Sequence, residues 1–532
     1  MQRHILKFFS AWLNQYSLFM MFAAFAVLFL ILAFPIRCYV DTGVYLETAR
    51  KILAGQLPYV NYEEINLPTI HYLNILPVII SHWTLINQIT AYFLLVWIQL
   101  AFSCFAVSLL LGRYLQRFNS VGIYIIPFVL ILQAISALIL VSFGQREHFI
   151  FIAFVPWFVL RWYRWNGGEI SSALAFTIGL LACMAASIKP YFIPLFFVCD
   201  LYWIVTQRKV KPLLQPEIYG AVTFALIYAV YFVILEPQIL ISYLTHIMPD
   251  AIAGYTAWGS NTVIELTTRD AVWPVGLVIL AWVIPPRKRR AMWNMARPLS
   301  IALIAAILGY VLQRNDYPYH RMPMEGISYI LLGLLVYDLA SRFADWGTHM
   351  QNPILKRFNL VRHLPFIAIG VFFVNWITIS YSLMASTPYV NKTFQNLVTT
   401  YSAPGDLIMV VDTEGGPGYP GLQQVNRGQA SRYLFPYPLP YNYCGHDLSD
   451  VYATDAIVPK AVGKYMDDLV KDIHISRPPL IFIRLRQLYV CPIGFRLNDF
   501  LVAHSAIAQE LHLSYNVLGD FEGLRVYLRT NK

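Results

Sequence analysis

About eleven stretches of roughly 20 mostly apolar residues run through the first 385 positions of this 532-residue chain, and that length matches the hydrocarbon core of a bilayer. There, every backbone N–H and C=O must be satisfied within its own helix. The stretches centre on Ser17–Ile36, Ile89–Leu111, Val121–Phe143, Phe149–Tyr163, Ser172–Ser187, Tyr191–Val205, Ile218–Leu235, Ala271–Ile284, Leu299–Leu312, Gly326–Ala340 and Leu364–Met384. Composition agrees: 58% of residues are hydrophobic and 13% charged, about half the charge of a water-soluble chain. A soluble enzyme, a disordered chain and a fibrous protein are excluded. The first stretch is too long for a cleaved signal peptide, and no small-residue cleavage site accompanies it.

The basic residues orient the spans. One set of loops holds Arg3, Lys7, Arg113, Arg117, Arg161, Arg164, Arg208, Lys209, Lys211, Arg287–Arg290, Arg297, Arg342, Lys356, Arg357 and Arg362. The alternate loops hold Arg37, Arg50, Lys51, Arg146, Lys189, Arg269, Arg314 and Arg321. This asymmetry of about 18 to 8 assigns the first set to the cytoplasm. The N-terminus is then inside and, with an odd number of spans, the C-terminus outside. The formal net charge of +10 is thus a topology signal and gives no reason to expect nucleic acid.

After residue 385 the texture changes. Residues 386–532 contain no 20-residue apolar run; they carry Pro-Gly punctuation (Gly415–Pro420), β-like runs at Leu407–Val411 and Leu480–Ile483, and helical spacing over Ala461–Ile473. These features predict a small extracytoplasmic α/β domain following a transmembrane domain over 1–385. Of six cysteines, Cys444 and Cys491 lie in this domain and could pair in an oxidising compartment.

Four polar clusters do not belong to a plain helix bundle. Asp41 begins a segment running to Gly55-Gln56-Leu57-Pro58-Tyr59; Val44, Tyr45, Leu46, Ala49, Ile52 and Leu53 share one face at helical spacing, and Gly55 suits a C-terminal cap. A short amphipathic helix along the membrane surface is expected, with Asp41 near its start as cap or as functional acid. The following loop carries Tyr59, Glu63, Glu64 and His71 and leads into the interfacial or re-entrant run Leu73–Trp83. Gly144-Gln145-Arg146-Glu147-His148 interrupts two spans with almost no loop, costly unless it faces a polar cavity or pairs with itself. Lys189-Pro190 and Gln313–Pro323, which includes Arg314, His320 and Arg321, complete the set. The charge-based topology places all four on the outer face.

At these residues the chain resembles the GT-C superfamily of polytopic glycosyltransferases, near the branch of protein mannosyltransferases and of lipopolysaccharide and lipid A sugar transferases. Asp41 with its downstream Gly55-Gln56-Leu57-Pro58-Tyr59, then Pro68 and Tyr72, and the turn Gly144–His148 carry the likeness. It implies an α-helical polytopic membrane fold and a bacterial inner-membrane location with the C-terminal domain periplasmic. It also implies a polyprenyl-phosphate-linked sugar as donor, and a glycan, lipid or protein as acceptor. Asp41 takes the position of the family's essential first-loop acid, and Glu147 that of the second. Thr42 stands where the mannosyltransferase form has Glu, so the sugar stays open.

The chemistry of such a site sets definite roles. A carboxylate takes the proton of the attacking acceptor hydroxyl, a role assigned to Asp41. Fixed cations meet the departing lipid phosphate; Arg146, Lys189 and His320 are candidates. His148, Arg321, Tyr59, Glu63, Glu64 and His71 are further candidate substrate contacts. Glu147 could orient Arg146, bind the acceptor, or share a divalent metal ion with Asp41, although no metal-ligand spacing is present. Direct displacement inverts the anomeric carbon. A transporter or lipid flippase is the alternative; the sequence shows no repeat between its halves, and its polar clusters lie at one face. A non-catalytic assembly protein and another membrane transferase are more distant rivals.

Overall fold

The computed structural model describes residues 15–33, 38–84, 86–118, 125–139, 142–258, 263–285, 293–315, 317–349, 374, 378, 391–444, 446–448, 451–453, 457–487 and 493–530. The expected span Leu364–Met384 lies almost wholly outside these residues, as do Arg3, Lys7, Arg37, Arg287–Arg290, Lys356, Arg357, Arg362 and Cys491. The chain forms two compact units, with one boundary at 388/389 and with 38–92 and 228–260 grouped with the C-terminal residues. The first comprises 1–37, 93–227 and 261–388; the second comprises 38–92, 228–260 and 389–532. The polar loop that begins at Asp41 therefore belongs with the C-terminal residues.

The first unit is helical, and the described apolar helices of the chain fall on the expected apolar stretches. Gln88–Gly112, Pro216–Leu235 and Pro318–Leu339 are long and apolar enough to cross a membrane; Met21–Ala33, Ile125–Leu138, Ser172–Ile188 and Met295–Val311 are shorter apolar helices. Arg146–Trp165 is the most deeply enclosed, being buried along nearly its whole length. At its far end Arg161 is fully enclosed. It donates to both oxygens of Asp200 (2.9 and 3.1 Å), to Glu217 (2.7 Å) and to the Pro212 carbonyl (2.9 Å). Trp165 donates to Asp200 as well (2.6 Å). Arg161 thus bridges two buried carboxylates from two other helices, and Arg164 adds a second cation at Glu217 (3.3 Å), the condition under which buried charge is tolerated. These two acids were not apparent from the sequence.

The helix bearing Glu217 crosses Ser172–Ile188 at a pair of glycines. A Cβ on Gly179 would lie 1.8 Å from the Glu217 carbonyl oxygen, and one on Gly220 would lie 2.1 Å from that of Phe176. Small residues let two backbones touch where lipid supplies no hydrophobic drive for association.

In the second unit the C-terminal residues form a five-stranded sheet in the order β2-β1-β3-β5-β4. The strands are β1 (Leu407–Val411), β2 (Gly428–Gln429), β3 (Leu480–Arg484), β4 (Tyr515–Phe521) and β5 (Leu524–Arg529). β1 pairs in parallel with β2 and β3, and β5 pairs antiparallel with β3 and β4. Lys460–Ser476, the helix expected over Ala461–Ile473, packs Val462, Tyr465, Met466, Leu469 and Ile473 on one sheet face. Asn391 caps Lys392–Tyr401 by accepting from the Phe394 N–H (2.7 Å), and that helix brings Phe394 and Val398 to the other face. Cys444 is disulfide-bonded, whereas Cys38, Cys104, Cys183 and Cys199 are free.

A side chain at either crossing glycine has no room. Gly220→Leu should destabilise the folded chain by about 3 kcal/mol, the upper end for overpacking, because the obstruction is backbone. Gly276→Ala, with nothing within 4 Å of its Cβ, should be nearly neutral. Thermal unfolding monitored by size-exclusion chromatography in detergent checks both.

Candidate functional site

The first-unit site is built at the N-terminus of Arg146–Trp165. Gly144 turns the chain at φ +79°, Gln145 is the N-cap, and Arg146, Glu147 and His148 form the first turn. A carboxylate there meets the positive end of a 20-residue helix. His148 closes the turn: its Nδ1 accepts from the Gly144 N–H (3.1 Å). It therefore serves the backbone in this structure.

Lys189 ends Ser172–Ile188 in extended backbone (φ −147°, ψ 104°), the conformation that the following Pro190 imposes. That placement brings its ammonium onto Glu147 Oε1 in a buried ion pair. His320 arrives on the short Pro318–Arg321 turn, with Nε2 3.6 Å from the same oxygen and Nδ1 on the Asn315 carbonyl (3.3 Å). Three segments distant in sequence thus converge on one carboxylate. Arg146 is buried beside it, so two cations surround one anion. Both amide atoms of Gln145, fully buried, have no protein partner.

Arg321 does not join this group. It pairs with Asp270 (3.0 Å) and Glu325 (3.6 Å), and Tyr310 also donates to Asp270 (2.6 Å). Asp270 was not among the expected residues. Lys189 and His320 both approach Glu147 Oε1. Among the described residues no group of three or more His, Cys, Asp or Glu has the geometry of a metal site.

The second unit holds the remaining candidates. Asp41 stands in the first turn of Val40–Leu53 and is partly exposed. The helix has the expected bounds, and Gly55 follows it at φ +80°. Its surroundings differ from expectation: Thr42 through Ala49 are all buried, as is Lys51. An amphipathic helix lying on lipid would leave one face open; here the chain itself covers both. Glu47 and Lys51, at i,i+4 amid apolar neighbours, were the overlooked sign of this burial. Glu47 accepts from Arg50 Nε (3.0 Å) and from the Gln429 N–H (2.9 Å); Lys51 donates to the Gln429 carbonyl (3.2 Å). Burial brings the Lys51 ammonium down to about 8.

Tyr59, Glu63, Glu64 and His71 are engaged within the loop and with the C-terminal residues. Glu64 accepts from His71 Nε2 (2.8 Å) and from the Asn66 N–H (2.7 Å). Glu63 pairs its backbone with Arg432 (2.8 Å) and its carboxylate with Lys464 (3.2 Å). The Tyr59 hydroxyl donates to the Asn66 carbonyl, and its ring lies 5.1 Å from that of Tyr243. These bonds pin the loop in place.

The whole course of the chain, from the polar turns to the terminal sheet, has a counterpart among solved structures. ArnT from Cupriavidus metallidurans bound to undecaprenyl phosphate superimposes with a TM-score of 0.56 over 97% of this chain and 98% of that one, at 12% identity. The same protein in the apo state gives 0.54 over 96% and 97%, at 13% identity. The fold is ArnT-like. ArnT is a GT-C glycosyltransferase, so the resemblance drawn from Asp41 and Gly144–His148 agrees with the fold. No protein-family model matches the sequence, and no curated protein does; at 12–13% identity the ArnT-like likeness is one of architecture.

Lys189→Met would remove the ammonium bonded to Glu147 while Arg146 stays nearby, and should cost about 1.5–3 kcal/mol, the worth of a hydrogen bond to a charged group. Adding Glu147→Gln should restore part of that loss. Thermal unfolding of both single variants and the double variant forms a cycle. Additive losses would mean the two groups do not interact.

Proposed function

We propose that this chain is a membrane glycosyltransferase moving a sugar from a polyprenyl-phosphate donor to an acceptor hydroxyl on the extracytoplasmic face. The observation that carries the reading is the near-complete overlap with ArnT captured with undecaprenyl phosphate. The proposed setting is a bacterial inner membrane, with about eleven spans, the N-terminus cytoplasmic and the C-terminal domain periplasmic. The acceptor is a glycan, lipid or protein.

Asp41 is the base. As the acceptor oxygen attacks the anomeric carbon, its proton passes to the carboxylate, the bond to the phosphate oxygen breaks, and the electron pair leaves with the lipid phosphate. A single displacement of this kind inverts the anomeric centre. Arg146 and Lys189 are cations buried beside Glu147, in a medium of low dielectric. In this reading they meet the negative charge developing on the leaving phosphate as cations already fixed in place. His320 supplies a further nitrogen beside Glu147. Glu147 holds Lys189 in place by their ion pair. Tyr59, Glu63, Glu64, His71, His148 and Arg321 are each committed to an intramolecular bond.

Asp41→Asn should lower transfer by at least about 10²-fold, the lower range of general-base contributions, with folding preserved. The assay is release of radiolabelled sugar from polyprenyl phosphate by the purified protein in proteoliposomes. Near-normal turnover by Asp41→Asn would remove the base assignment. Movement of the labelled lipid across the bilayer without cleavage would instead favour a flippase. Lys189→Ala, if it folds, should raise the KM for the donor more than that for the acceptor.

A further inference from the structure

The C-terminal sheet has the arrangement in which α/β domains bind ligands. β2 and β3 lie on opposite sides of β1, so a crevice opens beyond the carboxyl ends of β1 and β3. Here the crevice is closed from within. Asp412, just past β1, pairs with Arg484 at the end of β3 (2.6 Å), and Arg484 also donates to the Gly416 carbonyl (2.5 Å). What rests on the loop beyond is the Asp41 helix. A Cβ on Gly415 would lie 2.4 Å from Val40 Cγ1, and one on Gly43 would lie 2.9 Å from Pro420 Cα. At the other end of the helix, a Cβ on Gly428 would lie 2.3 Å from Arg50 Cζ.

The contact on β2 is more specific than close packing. β2 is the edge of the sheet. The N–H groups of Gly428 and Ala430 turn toward β1, donating to Asp406 and Ile408, so the N–H and C=O of Gln429 face outward. An edge of this kind is a template for another strand. Glu47 takes the outward N–H (2.9 Å) and Lys51 the outward carbonyl (3.2 Å). Two charged side chains one helical turn apart thus stand in for one residue of a neighbouring strand. The Gln429 side chain completes the lock by accepting from the Val410 N–H (3.0 Å) and donating to the Val410 carbonyl (2.8 Å).

We propose that Glu47, Lys51 and Gln429 are positioning residues, through which the C-terminal domain holds the helix that carries Asp41. The proposal rests on the reading of Asp41 as base, and it gives the C-terminal domain a role in which the ligand is a segment of its own chain. Asp41 lies six residues from Glu47, about 9 Å along a helix axis. A tilt of roughly 10° about the clamp moves it by about 1.5 Å, and a displacement of about 1 Å can cost on the order of 10²-fold in rate.

The test uses the full-length protein in proteoliposomes with a radiolabelled polyprenyl-phosphate sugar. Lys51→Met and Glu47→Leu remove the clamp; Glu47→Gln keeps a carbonyl for the Gln429 N–H; Asp41→Asn is the reference. Hydrogen exchange of peptides covering residues 40–53 reports the clamp independently of activity. Expected are faster exchange in Lys51→Met and Glu47→Leu, a kcat lowered about 10–100-fold, and a donor KM within about twofold of wild type. Glu47→Gln should recover most of the rate. Unchanged exchange in both clamp variants overturns the proposal. So does faster exchange with kcat unaltered, provided Asp41→Asn is inactive. An active Asp41→Asn with faster exchange in the clamp variants overturns the base reading and, with it, the positioning role. If the clamp variants fail to fold, Glu47→Gln decides: a rate and exchange pattern like wild type supports the proposal, and a lost rate with wild-type exchange overturns it.

Discussion

A charge withdrawn from water must meet an opposite charge or a set of hydrogen-bond partners, and several such meetings among the described residues follow that rule. Arg161 gathers Asp200 and Glu217; Glu147 gathers Lys189 and His320; Glu47 and Lys51 together grip Gln429. In each case the partners come from segments far apart in sequence, so the bond also serves as a tie between elements. An isolated buried charge costs several kcal/mol, while a paired one is close to neutral. These ties therefore select which segments meet more than they add to stability.

The two ends of the Arg146–Trp165 helix illustrate different uses of that rule. At the Arg161 end two arginines, Arg161 and Arg164, face two carboxylates, each supplied with several donors. At the Glu147 end two cations face one carboxylate, and the Gln145 amide has no protein partner.

Much of this was legible in the sequence because local patterns decide it. The Asp41 helix follows from apolar spacing and Gly55, and its observed bounds are Val40–Leu53. The turn before Glu147 follows from Gly144 between two apolar runs. β1 and β3 follow from short β-branched runs flanked by turn residues. The surface position expected for the Asp41 helix did not follow, because periodicity reports which face is apolar but not whether the polar face is covered too. Glu64 and His71 looked like free ligands for the same reason: spacing cannot tell a carboxylate waiting for a substrate from one already bonded to an imidazole seven positions on.

By itself the sequence determined the apolar segments, the turns between them, the separate texture of the C-terminal residues and the short list of polar groups that a bilayer would not tolerate without a reason. These are consequences of transfer free energy and backbone geometry acting over a few residues at a time. Only the tertiary structure decided which charges pair, that residues 38–92 pack with the C-terminal sheet, and that Glu47 and Lys51 close the edge at Gln429. Pairing depends on distances between segments up to hundreds of residues apart, and no local pattern encodes those distances.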